Sequence, residues 1–224
     1  MPLRPDLVSE IDAALAGLPK ANLNSASAGY DLYEAYIWAL VLRAARNEGA
    51  MIRFRNRHGT CPASFWFRTS PSNIFSPAHD YCHAEIEFPG RPTLEAHVGI
   101  YVAGRSQIAH ECDVAVLYKS EADICRASNV EPRSSKLVLA VECKYYLNSG
   151  IGIGLGRSFL GLLNDVYKGD RYFVGTADSP SVKTLFAAHR KNHELGLTPL
   201  NARIEARLIG KFETTFDHFK SSRS

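Results

Sequence analysis

A chain of 224 residues and 24.8 kDa is long enough for one well-packed domain. Hydrophobic residues at 46% and charged residues at 22% exclude wholesale disorder, and no apolar run reaches the roughly 20 residues that cross a bilayer. The net charge of +3, with a pI near 8.6, tolerates a polyanionic partner without demanding one. The five cysteines, Cys61, Cys82, Cys112, Cys125 and Cys143, are odd in number, irregularly spaced and form no CxxC. That pattern argues against a disulfide framework and fits a reducing cytoplasm. The start, Met-Pro-Leu-Arg-Pro-Asp, leads into an amphipathic acidic segment rather than the apolar stretch of a signal peptide.

Taken in chain order, the first twenty residues predict a helix, with Leu7, Ile11, Leu15 and Leu18 on one stripe, Asp6 as cap and Gly17 near its end. A small-residue loop precedes a stronger helix from Asp31 to about Asn47, opened by Asp31-Leu-Tyr-Glu34 in capping-box spacing and apolar nearly all round. Met51 to Arg57 alternates as a strand does, with Arg53, Arg55 and Arg57 on one face; Ser64-Phe-Trp-Phe-Arg68 is a shorter strand candidate. Thr69 to Asp80, with its prolines and serines, reads as loop. Ala84 to Phe88 and Leu94 to Ala103 predict a strand pair joined by Pro89-Gly-Arg-Pro92.

Cys112 to Tyr118 and Lys136 to Cys143 are apolar on both faces, as doubly covered central strands are. The polar stretch Lys119 to Ser135 between them reads as a loop with one helical turn. A helix over about Leu155 to Tyr167, a strand over Arg171 to Thr176, a helix over Ser181 to Glu194 and a last strand over Asn201 to Ile209 complete the pattern, with fraying from Lys211. This order predicts one α/β domain over 1–224 around a mixed central sheet flanked by helices, with a core at about 31–176 and a helix-and-strand extension over 177–224.

The strongest chemical signal is Leu137-Val-Leu-Ala-Val-Glu142-Cys143-Lys144, a buried strand ending in a carboxylate and an ammonium that share one face. Upstream, His110-Glu111-Cys112-Asp113 opens a second buried strand, with Glu111 and Asp113 again on one face. Paired, the two strands bring these charges to one point. Metal-assisted phosphodiester hydrolysis needs such a set: Asp113 and Glu142 to hold Mg²⁺ or Mn²⁺, and the Cys143 carbonyl as a further ligand. Lys144 would orient the attacking water or neutralise developing charge, a neighbouring cation favouring its deprotonated form.

On these residues the chain resembles the PD-(D/E)XK superfamily of restriction-endonuclease-like nucleases, with Asp113 heading one core strand and Glu142-Cys143-Lys144 closing the next. Glu34 stands where many members carry a helix glutamate. Cys112 precedes Asp113 where proline is common, and 28 residues separate Asp113 from Glu142. The resemblance covers about Asp31 to Thr176. It implies a restriction-endonuclease-like fold and a Mg²⁺-dependent endonuclease acting most often on double-stranded DNA, as in restriction or phage defence, alone, as a homodimer or with a partner defence protein.

Each feature also has a structural explanation. Glu142 with Lys144 can be a plain ion pair, Glu34 a capping glutamate, Glu111 a solvated strand end, and Asp113 a local backbone acceptor. The stripe Arg53, Arg55 and Arg57 suits phosphate contacts, as does Arg157 near a helix start, but an edge strand guarded by charge looks the same. Lys183, Arg190, Lys191 and His193 read as a solvated basic face. His58, Cys61, His79, Cys82 and His83 do not make the two close pairs that structural zinc favours. Cys112 beside His110 lacks a third orienting group, and Gly150 to Gly156 lacks the Lys-Ser/Thr of a P-loop. Two other functions fit the same residues: a non-cleaving nucleic-acid-binding module, and an interaction or immunity-type protein with an ordinary ion-pair network.

Overall fold

The computed structural model describes residues 3–222. The chain folds as a seven-stranded mixed sheet flanked by helices, with the strands in sequential order. Helices α1 (Arg4–Leu15) and α2 (Gly29–Asn47) precede β1 (Met51–Asn56), β2 (Cys82–Glu87), β3 (Leu94–Ala103) and β4 (Ala109–Tyr118). Helix α3 (Lys119–Ser128) leads to β5 (Leu137–Lys144), then α4 (Ile153–Asp165), β6 (Asp170–Gly175), α5 (Pro180–Ala188), β7 (Asn192–Leu195) and α6 (Ala202–Ser221). Strands β1 to β5 form an antiparallel meander, whereas β5, β6 and β7 run parallel. The switch falls where α4 supplies the crossover that parallel strands require.

Strand alternation sorts the core into two layers. Val114, Val116, Leu139, Val141 and Cys143 pack with α1, α2 and α6; Ala115, Leu117 and Ala140 pack on the other face with α3 and the end of α4. Farther along that second face, Phe159, Phe173 and Phe186 lock α4, β6 and α5 together, with ring centroids 5.1–5.6 Å apart. Helix α2 is the axis of the first layer, buried nearly all round as its composition predicts. Its Trp38 is fully buried and donates Nε1–H to the Ala96 carbonyl at 3.1 Å, fixing the helix against β3. From α6, the buried carboxylate of Glu205 accepts from Tyr36 Oη at 2.5 Å and pairs with Arg43.

Several elements depart from expectation. Asp6 lies in the first turn of α1 rather than capping it; Leu3 is the N-cap, and Ala16, in the left-handed region, ends the helix. Helix α2 starts at Gly29 after Ala28, which makes Asp31 its third residue and removes the capping box. Phe65 makes an isolated bridge to Lys20 and joins no strand. The stretch after β4 holds the ten-residue α3, and α5 stops at Ala188 so that Asn192–Leu195 can extend the sheet.

The largest departure is α6, predicted as a strand and a frayed tail. Asn-Ala-Arg-Ile-Glu-Ala-Arg-Leu alternates locally. Over a longer window, however, Glu205, Leu208, Ile209, Phe212, Thr215, Phe216 and Phe219 recur at helical spacing, and all are buried. The Asn201 side chain accepts from the Ile204 N–H and caps the helix.

Candidate active site

Strands β4 and β5 pair directly, and the last registered pair before their charged ends is Val114 with Val141. Beyond it the Asp113 side chain replaces the regular ladder: its Oδ2 accepts the Cys143 N–H at 2.6 Å. Gly99 on β3, at φ +60°, lies opposite Asp113 between the pairs Val98–Val114 and Ile100–Cys112. A Cβ there would sit 3.3 Å from Arg68 Cβ, so both backbone conformation and space call for glycine. Glu142 and Lys144 share a face as alternation requires, with Nζ 2.6 Å from Oε1.

These groups open onto a cavity of about 300 Å³. Glu34 enters from α2, and Glu111, Asp113, Glu142 and Lys144 from the sheet; Tyr30, Tyr145 and Tyr146 complete the wall with Cys143. With no capping box to serve, Glu34 in the second turn of α2 is free to face the cavity. One ammonium among four carboxylates leaves excess negative charge in a poorly hydrated place. Burial, then Glu142, pushes Asp113 up to about 7, against the pull of Lys144 and the Cys143 N–H. Burial, then Asp113, Glu111 and Asp31, pushes Glu34 up to about 9. Glu111 is raised by burial and Glu142.

Burial acts to lower Lys144, but Glu142 and Asp113 outweigh it and hold it up at about 12. Without a bound cation these neighbours favour the ammonium form of Lys144; the expected deprotonated lysine belongs to the cation-bound site. The carboxylates are also held apart, Asp113 by the Cys143 N–H and Glu142 by Lys144. Among the described residues, the set whose ligand atoms all lie within 4.8 Å of one another is His83, Glu95 and His97, away from this cavity.

Composition gave no sign of the tyrosines, although Tyr145 and Tyr146 directly follow Lys144. The Tyr145 hydroxyl is buried with no hydrogen-bond partner among the described residues, and its ring lies 5.9 Å from that of Tyr33. Gly29, the first residue of α2, makes room for it: a Cβ there would stand 2.2 Å from Tyr145 Cε1. Gly29→Ala is expected to displace that ring and cost about 1–3 kcal/mol, measurable by urea denaturation. Adding Tyr145→Leu should recover most of the loss.

The arginine stripe is already engaged. Arg53 pairs with Glu87 at 2.8 Å, Arg55 with Glu85 at 3.4 Å, and Arg57 donates to the Ser76 carbonyl at 2.8 Å. Arg157 is exposed on α4 and has no ion pair among the described residues. Lys183 pairs with Asp178, and Lys191 and His193 lie beyond the end of α5. His110 is bound to Asp165 at 2.6 Å, and burial pushes the Cys112 thiol far up, so the two make no nucleophile pair. Of the residues weighed for zinc, His58 pairs with Asp80 and His79 stacks on Trp66, while His83 turns toward Glu95. All five cysteines are free, and no helix of the described residues is long and apolar enough to cross a membrane.

Comparison with protein-family models, with curated proteins and with solved structures returned no match.

Proposed function

We propose that this chain is a Mg²⁺-dependent nuclease of the PD-(D/E)XK kind, hydrolysing phosphodiester bonds with double-stranded DNA as first substrate. The observation that carries the reading is the meeting of Asp113, Glu142 and Lys144, from two adjacent strands, with Glu34 from α2 at one open cavity. The succession α2, β3, β4, β5, α4, β6 supports it, because the resemblance implies a helix, strands, the Asp strand, the Glu-x-Lys strand, a helix and a strand in this order.

The donor set suits a hard cation. The cavity wall carries carboxylates and no histidine among the described residues, and burial, then neighbouring carboxylates, raises the proton affinity of Asp113 and Glu34. Asp113, Glu142 and the Cys143 carbonyl would hold the ion, with Glu111 beside them. Bound there, it would supply positive charge for the pentacovalent phosphorus and acidify water. Lys144, held protonated by Glu142 and Asp113 in the metal-free chain, would hydrogen-bond and orient a water or a non-bridging phosphate oxygen. Asp113 is kept in place through its Oδ2 by the Cys143 N–H. The Glu34 carboxyl, with its raised proton affinity, accepts or returns a proton at the cavity wall.

Supercoiled plasmid incubated with the protein and Mg²⁺ or Mn²⁺ should be nicked or linearised, and EDTA should stop it. Plasmid, single-stranded DNA and RNA left intact with either metal would overturn the reading. Salt-sensitive DNA binding indifferent to Mg²⁺ would then mark a non-cleaving module.

A further inference from the structure

On the face of the sheet covered by α3 lies a second polar cluster. His83 on β2 and His97 on β3 are cross-strand neighbours, next to the registered pair Ala84–Ala96, with ring centroids 4.9 Å apart and planes 26° from parallel. The Glu95 carboxylate reaches both: Oε1 is 3.4 Å from His83 Nε2, and Oε2 is 2.9 Å from His97 Nε2. His83, Glu95 and His97 are 2%, 0% and 1% exposed. Among the described residues His97 Nδ1 has no hydrogen-bond partner, and His83 Nε2 has only the long approach to Glu95. A buried polar atom in that state calls for an explanation.

We propose that His83, Glu95 and His97 form a structural site for a transition-metal ion of the zinc class, separate from the carboxylate cavity. One ligand atom from each residue lies within 4.8 Å of the other two. Two imidazoles that bind one tetrahedral ion at Zn–N distances of about 2.0–2.1 Å hold their ring centres about 5 Å apart, the spacing seen here. Imidazole donors select zinc, cobalt, nickel or copper over magnesium. This ligand chemistry therefore differs from that of the all-oxygen cavity.

The carboxylate is oriented from outside, as metal ligands commonly are: both Glu95 oxygens accept from Arg126 of α3, at 2.9 and 2.6 Å. Lys119 stands 3.8 Å from Glu95, and it also pairs with Asp123 at 2.8 Å. These cations oppose a bound dication and weaken its hold. A cavity of about 430 Å³ reaches His83 past Arg57, His58 and Lys119, giving the ion a route in and room for a water ligand. The site would tie β2 to β3 and, through Arg126, to α3.

The test is Co²⁺ titration of the full chain after chelator treatment. One equivalent should give the visible bands of low-coordinate Co²⁺, be displaced by Zn²⁺, and raise the melting temperature by several degrees. His83→Gln and His97→Gln should each abolish the bands, whereas Cys61→Ser and Glu142→Ala keep them. Should His97→Gln fail to fold, His83→Gln, on the cavity wall, decides. Absence of bands and melting shift in the wild-type chain would overturn the site, as would bands surviving His83→Gln or lost in Cys61→Ser. No outcome depends on DNA cleavage, so the result stands apart from the nuclease reading.

Discussion

Asp113→Asn and Glu142→Ala are each expected to lower Mg²⁺-dependent plasmid cleavage by roughly 10³-fold or more, and Lys144→Ala by about 10²–10⁴-fold. Rate alone does not separate a reacting group from a prop, but stability does. Asp113 and Glu142 stand among crowded carboxylates, and burial first, then that crowding, raises the proton affinities of Asp113, Glu34 and Glu111. Removing one carboxylate relieves that repulsion. Asn at position 113 still offers an oxygen to the Cys143 N–H. Metal-free Asp113→Asn should therefore melt at or above the wild-type temperature while losing cleavage, the mark of residues kept for function at a cost in stability. Lys144→Ala has the opposite sign on stability, because it leaves Glu142 and Asp113 without their ammonium. Paired melting and cleavage assays on the three variants check the pattern. Loss of stability in Asp113→Asn together with unaltered cleavage would reduce the residue to a backbone acceptor.

The strands of the candidate site were legible because their chemistry breaks a rule. A run such as Val138 to Val141 belongs in a core, so Glu142 and Lys144 at its end stand out, as does Asp113 at the head of β4. Glu34 was picked out by the resemblance against a competing capping box, and that competitor vanishes once α2 begins at Gly29. The histidine cluster was hidden because Leu94-Glu95-Ala96-His97-Val98 alternates like a strand with one face in water. That face is covered by α3, whose buried residues are few, namely Glu121, Ala122 and Cys125. So polar a segment signals loop to any composition rule, and once α3 is missed the burial of Glu95 and His97 cannot be inferred. The arginine stripe shows the same limit. Its alternation was right, but its partners Glu85 and Glu87 lie on β2, about thirty residues away in the chain.

The crowded carboxylates also set how the metal-free protein responds to pH. A carboxyl whose folded pKa lies above its unfolded value stabilises the fold fully below the unfolded value, and that contribution is lost as pH rises through the folded one. Glu34, moved from 4.5 to about 9, and Asp113, moved from 3.8 to about 7, both have this sign. His97, driven by burial from 6.5 down to about 3, has the other: its neutral folded form gains stability as pH rises toward 6.5 and adds nothing beyond. Glu95, held low by His83, His97 and Arg126 despite its burial, acts only under strongly acid conditions. Stability in EDTA should therefore fall from about pH 5 to pH 9, two falling contributions outweighing the single rise of His97 below pH 6.5, by several kcal/mol. Glu34→Gln should flatten most of that fall, and Asp113→Asn its first part. Because the site must shed protons to take a cation, Mg²⁺ should bind more tightly as pH rises, and its stabilising effect should be largest near pH 9. Thermal melts across this range, with and without Mg²⁺, read both slopes. A metal-free profile that rises toward pH 9, or a Mg²⁺ effect that shrinks with pH, would mean that these carboxylates are already compensated and that the cavity has no need of a cation.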